Sequence, residues 1–311
     1  MSKIVTAFHL LKNPHGFVAA LFESVRRLSI MRLLNDHLFI RIAYYVFFYS
    51  PINLSKPVTF NEKLNWLKLY YRKEELIPLV DKYAVKEFVS NRIGEKYVIP
   101  TIGVWNHDSD IDWRELPSRF VMKCTHDSHS CILCNDKNEL DIRASKRYLR
   151  SKLRQNLFYW AREWPYKFVK PRIIAEQYLM QSDEEDLNDY KFFCFNGRVR
   201  CFKIDFDRFT NHHANYFNRE KELMGIGEQV CPPDFSRDLS MPQSLDEMIR
   251  CAEALSQGFP FVRVDMYDVN GRVYFGEMTF FPAGGFGRFI NDNDDLLLGS
   301  WLELPTEELQ S

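Results

Sequence analysis

The stretch Phe261 to Gly285, FVRVDMYDVNGRVYFGEMTFFPAGG, constrains this chain more than any other. It reads as two strands around a tight turn at Asn270-Gly271. Val262, Val264, Met266, Tyr274 and Met278 are apolar and take even positions. Arg263, Asp265, Glu277 and Thr279 are polar and take odd positions, while Val273 and Phe275 break the pattern near the turn. Even positions suit a core face, so odd positions face outward. A two-residue Asn-Gly loop would put Asp265 and Glu277 on opposite faces, because paired positions would sum to an odd number. A three-residue loop, Val269-Asn270-Gly271 with Gly271 left-handed in a G1 bulge, keeps the odd positions together. The polar pattern favours that loop, with Arg263 opposite Glu277 and with Asp265 and Thr279 beside them.

Two carboxylates and a neutral oxygen on one sheet face make a site for a hard cation such as Mg²⁺, held through nucleotide phosphates. Arg263 is placed to hold an anion beside it. The plainer alternative is a wet hairpin face with a cross-strand Arg–Glu pair. What favours a site is the tail, Phe280-Phe281-Pro282-Ala283-Gly284-Gly285, a glycine-bearing loop where backbone can approach a ligand closely.

The chain has 311 residues, 46% of them hydrophobic and 27% charged, which is globular and leaves room for one large or two modest domains. A formal net charge of −1 gives no support for nucleic-acid binding. Seven scattered cysteines without a secretory signal point to reduced thiols in a cytoplasm. Cys131 and Cys134 form one CxxC, but no second clustered pair completes a zinc site. The longest apolar run, Leu38 to Tyr49, is interrupted by Arg41 and is shorter than the roughly 20 residues that span a bilayer. The first fifty residues carry six basic against two acidic side chains. Such a region could meet an anionic membrane surface, although a helical subdomain packed on the main body explains it more simply.

In order, residues 1–76 read as mostly helical. Thr59 and Glu62 form a capping box, and Phe60, Leu64, Leu67 and Tyr71 follow at helical spacing. Asp81 caps a helix over residues 82–89. Residues 97–100 form a short β-type run. Phe120 to Lys123 is a strand, followed by the polar loop Thr125 to Ser130 and the strand Cys131 to Cys134, a layout suited to a phosphate flap with Lys123 at its mouth. Taken alone, Lys123 reads better as an exposed edge lysine. A helix over Ile142 to Trp160 carries Arg143, Arg147, Arg150 and Arg154 on one stripe, a solvated face or a contact for an anionic glycan. A buried-type strand over Arg172 to Leu179 runs into the acidic loop Asp183 to Asp186. Tyr190 to Phe195 and Arg198 to Phe206 form a hairpin at Asn196-Gly197. A helix over Asp246 to Gln257 stops at Gly258.

Asp81-Lys82 with Lys86, then Lys123 before a polar loop, then Arg263-x-Asp265 and Glu277-x-Thr279, resembles the order of an ATP-grasp enzyme. The phrases PVTFNEKLNWLKLY, LVDKYAVKEFV, LPSRFVMK, EWPYKFVKPRIIAEQYL, DYKFFCFNGRV and the final hairpin are similar to the TupA-like ATP-grasp family. The resemblance covers roughly residues 50–300. It implies an α+β fold in which two lobes clasp ATP: a helical region at 1–76, an N-lobe with the flap at 77–175 and a C-lobe with the metal-binding hairpin at 176–311.

The resemblance also implies roles. Lys82 and Lys123 would hold ATP phosphates, with Ser128 in the flap. Glu176, Gln177, Tyr178 and Leu179 would be the hinge whose backbone meets the adenine. Lys191 would lie near the phosphates and Arg208 near the bound acid. Asp265 and Glu277 would bind Mg²⁺, with Thr279 where asparagine is usual. Asp127 and His129 stand where the flap would carry glycine. The implied reaction makes an acylphosphate that an amine attacks, with Arg263 stabilising the oxyanion. The implied substrates are an amino acid and a uronic acid or related glycan group of surface polysaccharide, joined in the cytoplasm near the inner membrane. Three rivals remain at this point: a sugar or lipid kinase on the same ATP site, a glycosyltransferase using Asp110-Ile111-Asp112, and a non-catalytic binding module, which the altered flap would suit.

Overall fold

Two antiparallel sheets and a cap of helices make up the computed structural model, which describes residues 29–128, 130–180, 188–208 and 210–306 together with Val18, Phe22 and Ser24. His129, the acidic loop Asp183 to Asp186, and Lys3, Lys12, Glu23, Arg26 and Arg27 lie outside the described residues.

Asn35 caps the helix Asp36–Phe48, accepting from the Leu38 amide. The expected capping box of Thr59 and Glu62 opens the helix Phe60–Tyr70, and two orphan amides of the first turn are thereby satisfied. The two helices share a core of Phe39, Ile40, Ala43, Tyr44 and Leu69, which Ala161 and Phe286 join from far along the chain. Among the described residues no helix is long and apolar enough to cross a membrane.

The smaller sheet contains β1 (Thr101–Trp105), β2 (Phe120–Cys124), β3 (Ile132–Cys134) and β4 (Ile173–Gln177), in the order β1-β4-β2-β3. The β-type run expected at 97–100 is not the strand. Glu95–Tyr97 is a short 3-10 turn, and pairing starts after Pro100, which has no amide to donate. Asp81 caps as expected, accepting from the amides of Tyr83 and Ala84 at 2.8 and 3.2 Å, but the regular helix is Val85–Ile93, not 82–89. The helix Ile142–Leu153 lays Leu149 on this sheet and stops before the expected Trp160. Beyond its end Asn156 accepts from the Phe158 amide at 3.0 Å, a local turn that leads into the separate short helix Phe158–Ala161.

The larger sheet contains β5 (Asp189–Phe195), β6 (Arg198–Phe206), β7 (His213–Asn218), β8 (Leu223–Met224), β9 (Phe261–Val269) and β10 (Arg272–Thr279), in the order β10-β9-β5-β6-β7-β8. The helix Leu245–Ser256 covers its even face, where Met248, Ala252 and Leu255 meet Phe192, Phe202, Val262 and Val264. Each large apolar side chain buried here is worth about 1.5–3 kcal/mol of transfer free energy.

Parity is the main correction. Both hairpins turn through two residues: Val269 pairs with Arg272 and Phe195 with Arg198. Asn270 and Gly271 have φ of 54° and 80°, and Asn196 and Gly197 have 48° and 76°, the left-handed pairs of a type I′ turn. The three-residue loop expected at 269–271 is therefore absent. A bulge does its work instead. The register of β9 and β10 slips between Phe275 and Glu277, and that of β5 and β6 slips at Phe193 and Cys194. Beyond each bulge the paired positions sum to an even number, so the odd residues of all four strands share a face. Arg263 thus stands opposite Thr279, not Glu277, and Glu277 stands opposite Asp265.

Candidate active site

The shared register sets out a row across the large sheet. Glu277 on β10 faces Asp265 on β9, which faces Lys191 on β5, which faces Lys203 on β6. Neighbouring strands are about 4.8 Å apart, so each head lies within reach of the next in the row. Asp265 and Lys191 are buried, at 2% and 6% exposure.

Arg263 ties the carboxylate end together. Its Nε and one terminal nitrogen fork onto the two Asp265 oxygens at 2.7 and 2.6 Å. The same guanidinium lies 3.1 Å from the Thr279 hydroxyl and 3.4 Å from Glu277 Oε1. Burial, with the nearby carboxylates of Asp189 and Glu277, pushes Asp265 up to about 7 even with Arg263 beside it. Two crowded carboxylates and a hydroxyl are hard oxygen donors that a divalent cation would relieve, so the residues fit Mg²⁺. Among the described residues no three His, Cys, Asp or Glu side chains converge as an all-protein metal site. Such an ion would therefore need phosphate oxygens or water to complete its shell.

Lys123 on β2, and Lys82 in the turn that precedes the helix Val85–Ile93, approach this row. Burial would raise the Glu277 carboxyl, but Lys82, Arg263 and Lys123 hold it below the usual carboxylate range. Lys123 is itself paired, 2.6 Å from Glu176 Oε2, and Lys86 pairs with the other Glu176 oxygen. Burial would likewise raise Glu176, but the two lysines hold it down. The Glu176 side chain thus faces inward. Gln177 is exposed and its amide donates to Pro100 at 3.0 Å. Leu179 packs with Ile99, Val269 and Tyr274, which seats the end of β4 on the hairpin of β9 and β10.

Asp127 does not project from the flap. It is 3% exposed and accepts from the Ser130 hydroxyl, which in turn accepts from the Cys124 amide at 2.8 Å. The Lys82 ammonium bonds the Asp127 carbonyl, and Ser128 lies exposed at the tip. Cys134 is buried with its thiol against the Ser118 carbonyl, while Cys131 is exposed. A cleft of 710 Å³ opens beside Lys86, Val98 and Arg272, away from Asp265 and Glu277.

The sequence reading missed part of this face. Asp189 and Asp205 stand opposite each other, and Lys191 bonds both. Lys203 pairs with Glu228 at 2.8 Å, and His212 lies 3.2 Å from Asp205. Arg208 reaches Asp189 at 3.1 Å. The signal was available: these β5 and β6 residues are the odd polar positions of a strand pair joined by Asn196-Gly197, and only the bulge hid their common face.

The larger sheet thus carries Asp265, Glu277 and Lys191 on one face, and the smaller sheet carries the ion pair of Lys123 and Glu176. The chain matches the TupA-like ATPgrasp family over residues 62–303 and belongs to that family. Its fold is the α+β ATP-grasp fold. Similar solved structures include D-alanine–D-alanine ligase from Helicobacter pylori, with 14% identity over 78% of this chain and 69% of that one and a TM-score of 0.44. D-alanine–D-alanine ligase from Bacillus anthracis complexed with ATP has 15% identity over 70% and 55%, with a TM-score of 0.37. An L-amino acid ligase from Bacillus licheniformis has 12% identity over 85% and 55%, with a TM-score of 0.38. The chain spans a little over half the length of the Bacillus enzymes. No curated protein matches it.

Proposed function

We propose that the chain is an ATP-dependent carboxylate–amine ligase working through an acylphosphate. The observation that carries this is that Lys123 on the smaller sheet and Lys82 in the turn beside it act on Glu277, which stands opposite Asp265 on the larger sheet. In this reading residues 77–175 and 176–311 are the two lobes. Lys82, Lys123 and Ser128 hold phosphates, and the backbone of Glu176 to Leu179 meets the adenine. Asp265, Glu277 and Thr279 hold Mg²⁺, which when bound neutralises charge on the transferring phosphoryl group. Lys191 helps to fix the phosphoryl group, and Arg208 orients the acid. Arg263 leaves Asp265 to stabilise the oxyanion as the amine attacks. No side-chain nucleophile is needed, because positioning and charge stabilisation supply the catalysis.

The acid is a uronic acid or related glycan group and the amine an amino acid, joined during surface polysaccharide assembly in the cytoplasm beside the inner membrane. The family membership supports this choice. An ADP-release screen of amino acids against D-glucuronate and D-galacturonate tests it. The expected result is ADP release that needs both partners. ADP release without an amine, with a phosphorylated sugar as product, would make the protein a kinase instead.

A further inference from the structure

We propose that Asp189 and Asp205 form the binding site for the attacking amine. The proposal rests on the ligase reading and adds a subsite to it. The two carboxylates face each other across β5 and β6, and each residue is 4% exposed. Lys191 occupies one oxygen of each, Oδ2. Arg208 adds a second cation to Asp189 Oδ2 at 3.1 Å. The Oδ1 atoms of both residues are buried and have no hydrogen-bond partner. The nearest cation to Asp205 Oδ1 is Lys203, at 3.6 Å, too far for a hydrogen bond.

Two buried, unmatched carboxylate oxygens on facing strands call for a ligand that brings N–H donors. A metal is the poorer candidate, since no three metal-ligating side chains converge there among the described residues. A primary amine suits both oxygens, because an ammonium carries three donors and no acceptor. Burial would raise the Asp205 carboxyl, but Lys203 and Lys191 hold it well below the usual range, so it stays ionised to receive that ligand. Position agrees with the role. Lys191 faces Asp265 on the adjacent strand, so an amine held at Asp189 and Asp205 lies about one to two strand spacings from the phosphoryl site.

His212 braces Asp205 from the side away from the proposed amine, donating to its other oxygen. Its Nε2 is 3.2 Å from Asp205 Oδ2, its Nδ1 is 3.4 Å from the Cys231 thiol, and its side chain is 34% exposed. The bound ammonium gives one proton to water. The freed lone pair forms the C–N bond at the acyl carbon. The bond from that carbon to the phosphate oxygen breaks, and its electron pair leaves with phosphate. The nitrogen then loses a second proton to water, leaving the neutral amide.

The test compares full-length wild type with Asp189→Asn and Asp205→Asn, using Mg·ATP and D-glucuronate or D-galacturonate. Each amino acid is one nucleophile and hydroxylamine, a small neutral one, is the other. Both variants should raise the amino-acid KM by about 10- to 100-fold, with a much smaller loss of hydroxamate formation. An unchanged amino-acid KM, or equal loss of amide and hydroxamate, overturns the subsite. Because either variant could fail to fold, the wild type provides a second measurement. Methylammonium should compete with the amino acid and not with ATP, whereas tetramethylammonium, which has no N–H, should not compete. Equal behaviour of the two cations overturns the subsite while leaving the ligase reading intact. Absence of hydroxamate from wild type with either acid overturns the ligase reading and the subsite with it.

Discussion

Glu277 stands directly opposite Asp265 only because the strand carries one extra residue, Gly276, between them and the turn. The site is narrow at that residue. A Cβ on Gly276 would come within 3.0 Å of the Asp265 carbonyl and 3.1 Å of the Tyr267 ring. Gly276→Val should therefore destabilise the protein by about 1–3 kcal/mol through overpacking. Urea unfolding checks this, and an undiminished midpoint would mean that the bulge tolerates a side chain.

Lys68 is fully buried, and its ammonium donates to the carbonyls of Ala161 at 2.8 Å and Gly284 at 2.6 Å. Asn65 donates to Gly285 and Asn61 to Gly287, so one face of the helix Phe60–Tyr70 holds the loop that follows β10. The loop needs holding: Ala283, Gly284 and Gly285 have φ of 49°, 63° and 72°, and only glycine takes that region without strain. Lys68→Met keeps the volume but strands two buried carbonyls, each worth about 1–3 kcal/mol. A loss of about 2–5 kcal/mol in urea unfolding is expected. A loss under about 1 kcal/mol would show that the carbonyls find other partners.

The parts legible in the sequence were those set by short-range rules. Thr59 with Glu62 marked a helix start, Asn270-Gly271 and Asn196-Gly197 marked turns, and alternation marked the strands. Odd polar residues were rightly placed on one face, but by the wrong device, because a bulge leaves little local trace beyond a glycine such as Gly276. Side-chain pairing was also hidden. Nothing near Glu176 in sequence shows that its carboxylate would turn inward between Lys86 and Lys123, since those lysines arrive from other elements. The strands β7 and β8 went unseen because His213 to Asn218 lacks the run of branched apolar residues that advertises a strand.

Asp127 makes the flap sensitive to pH. Burial raises its carboxyl above the usual value, although Ser130 and Lys82 pull the other way. In the unfolded chain Asp127 ionises first as pH rises, while the folded protein still holds the proton. Stability must then fall as pH climbs from the ordinary carboxylate range through the raised value. Asp127→Asn removes that slope and keeps an acceptor for Ser130. Melting temperatures at pH 5 and pH 8 should therefore converge in the variant relative to wild type. Parallel curves would mean that Asp127 is not protonated in the fold.

In the proposed mechanism Arg263 is the residue whose loss should separate binding from turnover most sharply. Its fork satisfies both Asp265 oxygens, so it occupies the place where a cation would sit. Arg263→Ala removes a competitor of Mg²⁺, and Mg·ATP affinity should stay the same or tighten. The loss should fall later, when charge develops on the acyl oxygen and the donor is missing. One absent oxyanion donor lowers kcat by about 10²–10³. Arg263→Lys should recover little, because a point charge cannot reproduce a planar fork between Asp265 and Thr279. The measurement is kcat for amine-dependent ADP release beside calorimetric Mg·ATP affinity for each variant. Weakened nucleotide binding with full turnover at saturation would place Arg263 on the phosphates. No change in either would leave the guanidinium as an ion pair that holds β9 and β10 together and nothing more.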